Sequence, residues 1–456
     1  MIGLVLTILD LGLILVMLYM ADETNKENER HAVMGSLLGA AFHVALMYVI
    51  LYIPGLRVIP MGYFSLLGLA GLLLLIPRKP NLSALKGIRG YVIGDAPRPD
   101  ERDSVTRRYR LVKGAPEYEE YYSRHPEREE IDRVHRKLNR IDGTIDGGYR
   151  PNVSMIDASF SIPPHMKGIA FAEPRKEPYE ISPEKSTVIA KGLANHLGAK
   201  VVGVCRVDPL CVYTSQRTLW QKTWTVDGEE QNYPPYALVM ATEMNHTHVH
   251  AGPHTPTAAE TGNQYANGSY ISTVMAHWFS GMGYTGIAEH TGHYDVVLPP
   301  LAVQAGMGEI GRNGYLITPT LGSRVRLSAV LTDMPLVVDE PIDIAVEEFC
   351  ENCMKCAGTC PSDSIPTTEK TEHNGTLRWK VEAETCSAYW NQVGTDCAIC
   401  MAICPYSKPD TPLHGIIRWL VNHSWLAPKV FPLMDDILYG KNWKVKPVPE
   451  WLDWKD

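Results

Sequence analysis

The sequence predicts a membrane-anchored α/β (α+β) body followed by a small cysteine-rich module. Three observations carry that reading. Apolar runs crowd the first 77 residues, helix-like and strand-like segments alternate from about residue 155, and eight of the 10 cysteines fall between positions 350 and 404. At 456 residues the chain is too long for one ordinary domain. Apolar residues make up 45% and charged residues 21%, which permits a buried core and excludes wholesale disorder. The formal net charge of −8 provides no pervasive positive field, so no nucleic-acid partner is expected.

The apolar runs Ile2–Met20, Val33–Ile53 and Met61–Ile76 contain 19, 21 and 16 residues. At ~1.5 Å per residue, 19 residues reach roughly 29 Å, close to a bilayer hydrocarbon core. A secretory signal competes for the first run. It lacks a basic leading segment and a small-residue cleavage site before the acidic loop Asp22–Glu29. Three transmembrane helices are therefore expected. Lys26, Arg30, Arg78, Lys79, Lys86 and Arg89 flank one side, against Arg57 on the other. The positive-inside rule then places a multi-pass anchor in the inner (cytoplasmic) membrane with the bulk of the chain facing the cytoplasm. Asp10 and His43 lie near the middle of their spans. They suit an interhelical hydrogen bond, with Gly35, Gly39 and Ala40 easing close packing, or else a proton or quinone site.

The boundaries follow composition: an anchor at 1–77, a polar linker and surface segment at 78–150, a mixed body at 151–345, a cysteine module at 346–410 and a C-terminal extension packing on the body at 411–456. Glu117–Arg140 has helical potential but few apolar positions, which places it on a surface. Ser182–Lys200 reads as a helix capped by Ser182, carrying Ile189, Leu193 and Leu197, and stopped at Gly198. Val201–Cys205, Tyr236–Met244 and Val325–Asp333 read as short buried strands, and Gly268–Met282 as a second helix ended by Gly283. Cys205 and Cys211 stand apart from the other cysteines and read as small buried hydrophobes.

Cys350, Cys353, Cys356 and Cys360 form C-x2-C-x2-C-x3-C before Pro361. Cys386, Cys397, Cys400 and Cys404 form C-x10-C-x2-C-x3-C before Pro405. Three thiolates at such spacing wrap one face of an iron–sulfur cube, and the fourth ligand comes from a distant segment. In two-cluster modules the fourth cysteine of each run crosses over. Cys350, Cys353, Cys356 and Cys404 are then expected to hold one [4Fe–4S] cluster, and Cys360, Cys386, Cys397 and Cys400 the other. Paired C-x2-C units also suit zinc, but two complete runs each ending in Cys-Pro favour the clusters.

The stretch from Tyr265 to Tyr439 resembles the corrinoid- and iron–sulfur-dependent reductive dehalogenases. The matching text includes Met282-Gly283-Tyr284, then Leu301 through Glu309 (LAVQAGMGE), Gly311-Arg312, and Gly322-Ser323-Arg324-Val325-Arg326. Thr332-Asp333-Met334-Pro335-Leu336, Glu348-Phe349-Cys350 and Ser387-Ala388-Tyr389-Trp390 follow in the family's order. The resemblance implies a corrinoid-binding and substrate-binding body at 151–345, a ferredoxin-like module with two [4Fe–4S] clusters, and a base-off cobalamin near one of them. In keeping with that state, no D-x-H-x-x-G motif occurs. It further implies a catalytic tyrosine about 19 residues before the Gly-Tyr, which is Tyr265, and a basic partner at Arg326. The family's third polar residue, often Asn, falls in Glu289–Asp295, where this chain has no Asn; His293 is the candidate, with His290 next. A phenol is a poor acid near neutrality, and an adjacent guanidinium would stabilise the phenolate left by proton transfer.

The activity implied is membrane-bound reductive dehalogenation, releasing halide from an organohalide. The donor is left between a quinol and a reduced ferredoxin or flavodoxin, and the chain could pair with a second copy. Two other readings fit parts of the sequence: a membrane electron-transfer subunit without catalysis, which leaves about 200 residues unused, and an epoxyqueuosine reductase-like enzyme, which would need a basic tRNA surface. Alternation in His246-Thr247-His248-Val249-His250 would set three imidazoles on one strand face, to bind a divalent ion or, with His254, to line a substrate channel.

Overall fold

The computed structural model describes residues 2–136, 141–175, 177–215 and 222–455. Helices α1 (Ile2–Lys26), α2 (Arg30–Tyr52) and α3 (Val58–Leu74, entered by a turn at Pro54–Leu56) are long and apolar enough to cross a membrane. Their outer faces are strongly apolar: Leu4 and Leu38 are 66% exposed and Val58 71%. A contiguous surface of that kind is stable in lipid and not in water. Between the helices, the Asp10 carboxylate lies 2.6 Å from His43 Nδ1, and Tyr63 OH lies 3.2 Å from His43 Nε2. One polar residue from each helix thus joins a single hydrogen-bonded chain, an arrangement that would satisfy ionisable groups inside hydrocarbon. A Cβ at Gly39 would sit 3.1 Å from Met17 Sδ, so the small residues of α2 do let α1 approach closely.

Two ends of this bundle dock on the rest of the chain. Glu27, just past α1, lies 2.7 Å from His414 Nε2, and Glu29 pairs with Lys446. Beyond α3, Arg78 pairs with Asp343 at 2.6 Å, and Trp425 N–H donates to the Ile76 carbonyl. The Pro54–Leu56 turn lies at the opposite end of the bundle.

The surface segment expected at 117–140 is two helices, Pro116–Arg124 and Pro126–Arg136; its last four residues, 137–140, lie outside the described residues. Proline at the first helical position starts each. Tyr118, Tyr121 and Tyr122 are buried in a small cluster with Leu111, so this surface helix has a core-facing stripe made of tyrosine.

Five strands form the central sheet: β1 (Phe171–Ala172), β2 (Val201–Arg206), β3 (Tyr236–Glu243), β4 (Gly286–Glu289) and β5 (Val325–Thr332). Their order is β1-β4-β5-β3-β2 and every neighbouring pair is antiparallel. Both faces are covered, which is why the strands read as unbroken apolar runs. One face, with Leu238, Met240, Ala288 and Val330, packs under α4 (Pro183–His196) and α5 (Thr255–Gly281). The other, with Val239, Ile287, Ala329 and Leu331, packs against α6 (Leu298–Gln304), Cys205 and Cys211. Cys205 is 2% exposed and Cys211 fully buried, as small hydrophobes would be. Ser182 accepts a hydrogen bond from Lys185 N–H and caps α4.

Helix α5 starts at Thr255, thirteen residues before the Gly268 expected from apolar spacing. Its first half has no apolar stripe. It is held instead by close packing of small residues on the helix Arg150–Met166, where a Cβ at Gly262 would come within 2.9 Å of Phe160. The segment His246–Val249 is a helical turn and not the strand expected from alternation, because Asn245 caps it by accepting from the N–H groups of Thr247 and His248.

Candidate active site and cluster module

The cysteine runs are supported by side chains from the central body. Glu309 accepts from Ile344 N–H (2.7 Å) and Val346 N–H (3.2 Å) at the start of α7 (Val346–Cys353), which carries Cys350 and Cys353. Burial lifts this carboxyl to about 7, opposed by the two N–H donors. Arg312 is 2% exposed and donates to the carbonyls of Cys350, Pro366 and Thr368, with its guanidinium 4.5 Å from the Trp379 ring centre. Glu309 and Arg312 of the sequence motifs therefore hold the first run and the connection to the second.

The sulfurs fall into two groups of four. Cys350 lies within electrostatic reach of Cys353, Cys356 and Cys404, and Cys400 within reach of Cys360, Cys386 and Cys397. Cys400 also lies within electrostatic reach of Cys356, so the groups are adjacent. None of the eight forms a disulfide. Burial pushes the thiols of Cys356, Cys386 and Cys397 up to about 12, so thiolates there require positive metal beside them. The donor set fits two four-thiolate clusters.

The turn Gly322–Arg326 joins this module to the sheet. Gly322 has φ +57°, and a Cβ there would lie 2.5 Å from the backbone of Tyr406 and Ser407, just after Cys404. Ser323 N–H donates to Ser407 Oγ, and Arg324 donates to the carbonyls of Ser407 and Met244. We expect Gly322→Ala to cost about 3 kcal/mol or more, from left-handed strain plus the clash. Gly147→Ala, at φ +65° with nothing within 4 Å, should cost only about 1 kcal/mol. Thermal unfolding of the two variants checks the contrast, with a clearly lower melting temperature expected for Gly322→Ala.

Two residues beyond Arg324, Arg326 turns inward from β5. Its guanidinium carbon is 5.1 Å from the ring centre of Tyr265 on α5. Nη2 donates to Asp396 Oδ2 (2.9 Å) and Thr261 Oγ1 (3.0 Å), and Thr261 donates to the same carboxylate oxygen at 2.5 Å. Burial works against this charge, but Tyr265 and Asp396 outweigh it and hold the guanidinium above the usual arginine range. Asp396 precedes Cys397, so one carboxylate connects the Tyr265–Arg326 pair to the second cysteine group. Sequence reasoning missed Asp396 and Thr261; the only signal was Asp396 standing next to a cysteine of the run. Arg326 Nε, Ser328 Oγ and Glu289 Oε1 are buried without a hydrogen-bond partner among the described residues. Orphan polar atoms of this kind fit a bound polar cofactor or substrate.

His293 is 1% exposed and His290 likewise, and their backbones pair across a tight turn. His293 is grouped with Glu289 and Asp295, whose ligand atoms all lie within 4.8 Å of one another. Burial pulls His290 down to about 4. The residue of this turn that senses Tyr265 directly is Tyr294, whose phenol burial and Tyr265 hold above its ordinary range. Around the turn His246–Val249, the His246 and His250 rings stack at 3.8 Å and His248 lies 3.2 Å from Glu260. Trp443, Trp451 and Trp454 cover His250, His248 and His254, so these imidazoles are packed under the C-terminal segment and present no common ion-binding face.

Residues 349–408 match the family model of the 4Fe-4S dicluster domain. Over 298 residues the chain is 30% identical to the tetrachloroethene reductive dehalogenase of Sulfurospirillum multivorans, covering 58% of this chain and 59% of that protein. Among solved structures it resembles one described as a reductive dehalogenase suggesting a mechanism for B12-dependent dehalogenation, with TM-score 0.61 and 25% identity over 80% of this chain and 49% of that one. The catabolic reductive dehalogenase NpRdhA, in complex with 3-bromo-4-hydroxybenzoic acid, shares the fold with TM-score 0.62 and 24% identity, over 80% and 49% of the two chains. The chain thus spans about half to three-fifths of the length of the proteins it matches. In sequence and in fold the chain is similar to the reductive dehalogenases, and it carries three helices of membrane-spanning length in its first 77 residues.

Proposed function

We propose that the protein is a membrane-bound reductive dehalogenase that uses cobalamin and two [4Fe–4S] clusters. The observation that carries this reading is the Arg326 guanidinium set over the Tyr265 ring and tied through Asp396 to Cys397. That arrangement puts a proton donor, a fixed positive charge and an electron carrier side by side. The overall reaction is R–X + 2 e⁻ + H⁺ → R–H + X⁻. A bound corrinoid would supply a low-valent cobalt able to cleave the carbon–halogen bond with electrons delivered one at a time.

The chain's own residues handle the proton and the charge. Tyr265 O–H donates the proton to the carbon that loses halogen, and Arg326 stabilises the phenolate left behind. Asp396 and Thr261 keep the guanidinium in place, and its free Nε is available to developing halide. His293 is proposed as the third polar group of the pocket. The first cysteine group (Cys350, Cys353, Cys356, Cys404) and the second (Cys360, Cys386, Cys397, Cys400) hold the clusters. The flanking Lys and Arg residues favour a cytoplasmic face for all of these sites.

The test is anaerobic purification of the full chain. We expect about eight iron atoms and one corrinoid per chain, and halide release from a chlorinated or brominated substrate with a strong soluble reductant. Iron without corrinoid, and no halide, would leave an electron-transfer subunit instead.

A further inference from the structure

Apart from the cysteines, one cluster of metal-ligating side chains lies wholly inside the body. Glu289, His293 and Asp295 bring two carboxylate oxygens and an imidazole nitrogen within 4.8 Å of one another. All three residues are at most 1% exposed. His293 Nε2 and Asp295 Oδ2 are 3.8 Å apart.

The backbone holds these residues in place. Glu289 ends β4 and pairs with Ala329 of β5 in the sheet. His290 N–H donates to the His293 carbonyl at 2.9 Å, and His293 N–H to the His290 carbonyl at 2.8 Å. The Asp295 carbonyl accepts from Tyr213 N–H at 3.0 Å. A Cβ at Gly292 would lie 3.1 Å from the Pro163 carbonyl, so the turn also presses on the helix Arg150–Met166. Ligands carried on fixed backbone lose little freedom when an ion binds.

Their charge calls for a cation. Asp295 lies within electrostatic reach of Glu289, burial adds to the cost of a charge there, and no lysine or arginine is among the groups acting most strongly on Glu289. Glu289 Oε2 accepts from Asp295 N–H at 2.7 Å, but Oε1 is buried without a hydrogen-bond partner among the described residues. An ion about 2.1 Å from each ligand atom spans pairs up to about 4.2 Å apart. The 3.8 Å pair already meets that limit, and the widest pair needs to close by at most about 0.6 Å.

We infer that Glu289, His293 and Asp295 bind one divalent transition-metal ion, which neutralises the two carboxylates and pins the turn beside Tyr265. Two oxygens and one imidazole suit manganese(II), with further positions left to water. The turn carries Tyr294, whose phenol lies 3.0 Å from Thr291 Oγ1 and within electrostatic reach of Tyr265, so the ion fixes a wall of the catalytic pocket. Imidazole has two nitrogens, and ligation through one is compatible with the place of His293 in that pocket. The inference does not depend on dehalogenation: it is read from manganese, whereas the dehalogenase reading is tested by corrinoid and halide.

The probe is manganese(II), added as its chloride to the growth medium. Full-length protein is purified without oxygen, dialysed against metal-free buffer and analysed for its elements. We expect about one manganese per chain in the wild type. Glu289→Gln and Asp295→Asn should each show at least a tenfold loss, with iron content unchanged as the sign that the chain still folds. Both substitutions preserve side-chain size. A wild type that retains no manganese would overturn the site, as would equal amounts in the wild type and both variants, which would mark an adventitious ion only. Should the variants lose iron as well, pulsed EPR of the manganese-loaded wild type decides. Coupling to one imidazole nitrogen, altered by ¹⁵N-histidine, is the expected result, and its absence overturns the assignment.

Discussion

Replacing Tyr265 by phenylalanine should lower halide release by about 100- to 10,000-fold, the usual share of a positioned general acid, while iron and corrinoid contents stay at the wild-type level. The substitution removes one oxygen and keeps the ring. The ring is what the Arg326 guanidinium faces at 5.1 Å, and Asp396 and Thr261 hold that guanidinium independently of the phenol. The scaffold therefore has no reason to move, and the loss reports proton delivery. Solvent deuterium gives a second reading: residual product from the variant should take its proton from water with an altered isotope effect. A variant that releases halide at the wild-type rate would eliminate Tyr265 as the acid. Arg326→Lys offers a graded comparison. An ammonium keeps the charge but loses the planar fork that reaches Thr261 and Asp396 together, so the pair should loosen and the rate should fall between wild type and Tyr265→Phe.

The parts of this molecule legible in the sequence are those fixed by local pattern. The three helices of membrane-spanning length announce themselves because their side chains are apolar nearly all round. The strands β2, β3 and β5 appear as apolar runs because both sheet faces are covered. Ser182 marks the start of α4 because its cap uses one local hydrogen bond. What stayed hidden depends on contacts across long stretches of chain. The first half of α5 is polar and small because it presses on the helix Arg150–Met166, and no periodicity of its own reveals that. The histidine alternation misled for a local reason: the Asn245 cap outweighs a period-two pattern of only five residues. Asp396 could be found only by folding the chain, since 70 residues separate it from Arg326. The motif residues Glu309 and Arg312 were visible as text, but their work of capping and clamping the first cysteine run needed coordinates.

Replacing Cys404 by serine should remove one cluster and leave the other, taking iron from about eight to about four atoms per chain. The grouping says which one. Cys404 lies with Cys350, Cys353 and Cys356, although by sequence it ends the second run. A double variant makes this decisive, because losses on one cluster do not add whereas losses on two do. Cys350→Ala combined with Cys404→Ser should still retain about four iron atoms, since both changes strike the same cube. Cys360→Ser combined with Cys404→Ser should retain almost none. If the runs instead bound clusters in sequence order, Cys350→Ala with Cys404→Ser would strike both cubes and retain almost no iron, while the Cys360/Cys404 pair would still retain almost none. Iron analysis of the Cys350/Cys404 pair therefore separates the arrangements by itself. The cysteine group left intact in that variant includes Cys397, next to Asp396 and the Arg326–Tyr265 pair, so a strong soluble reductant should still support halide release.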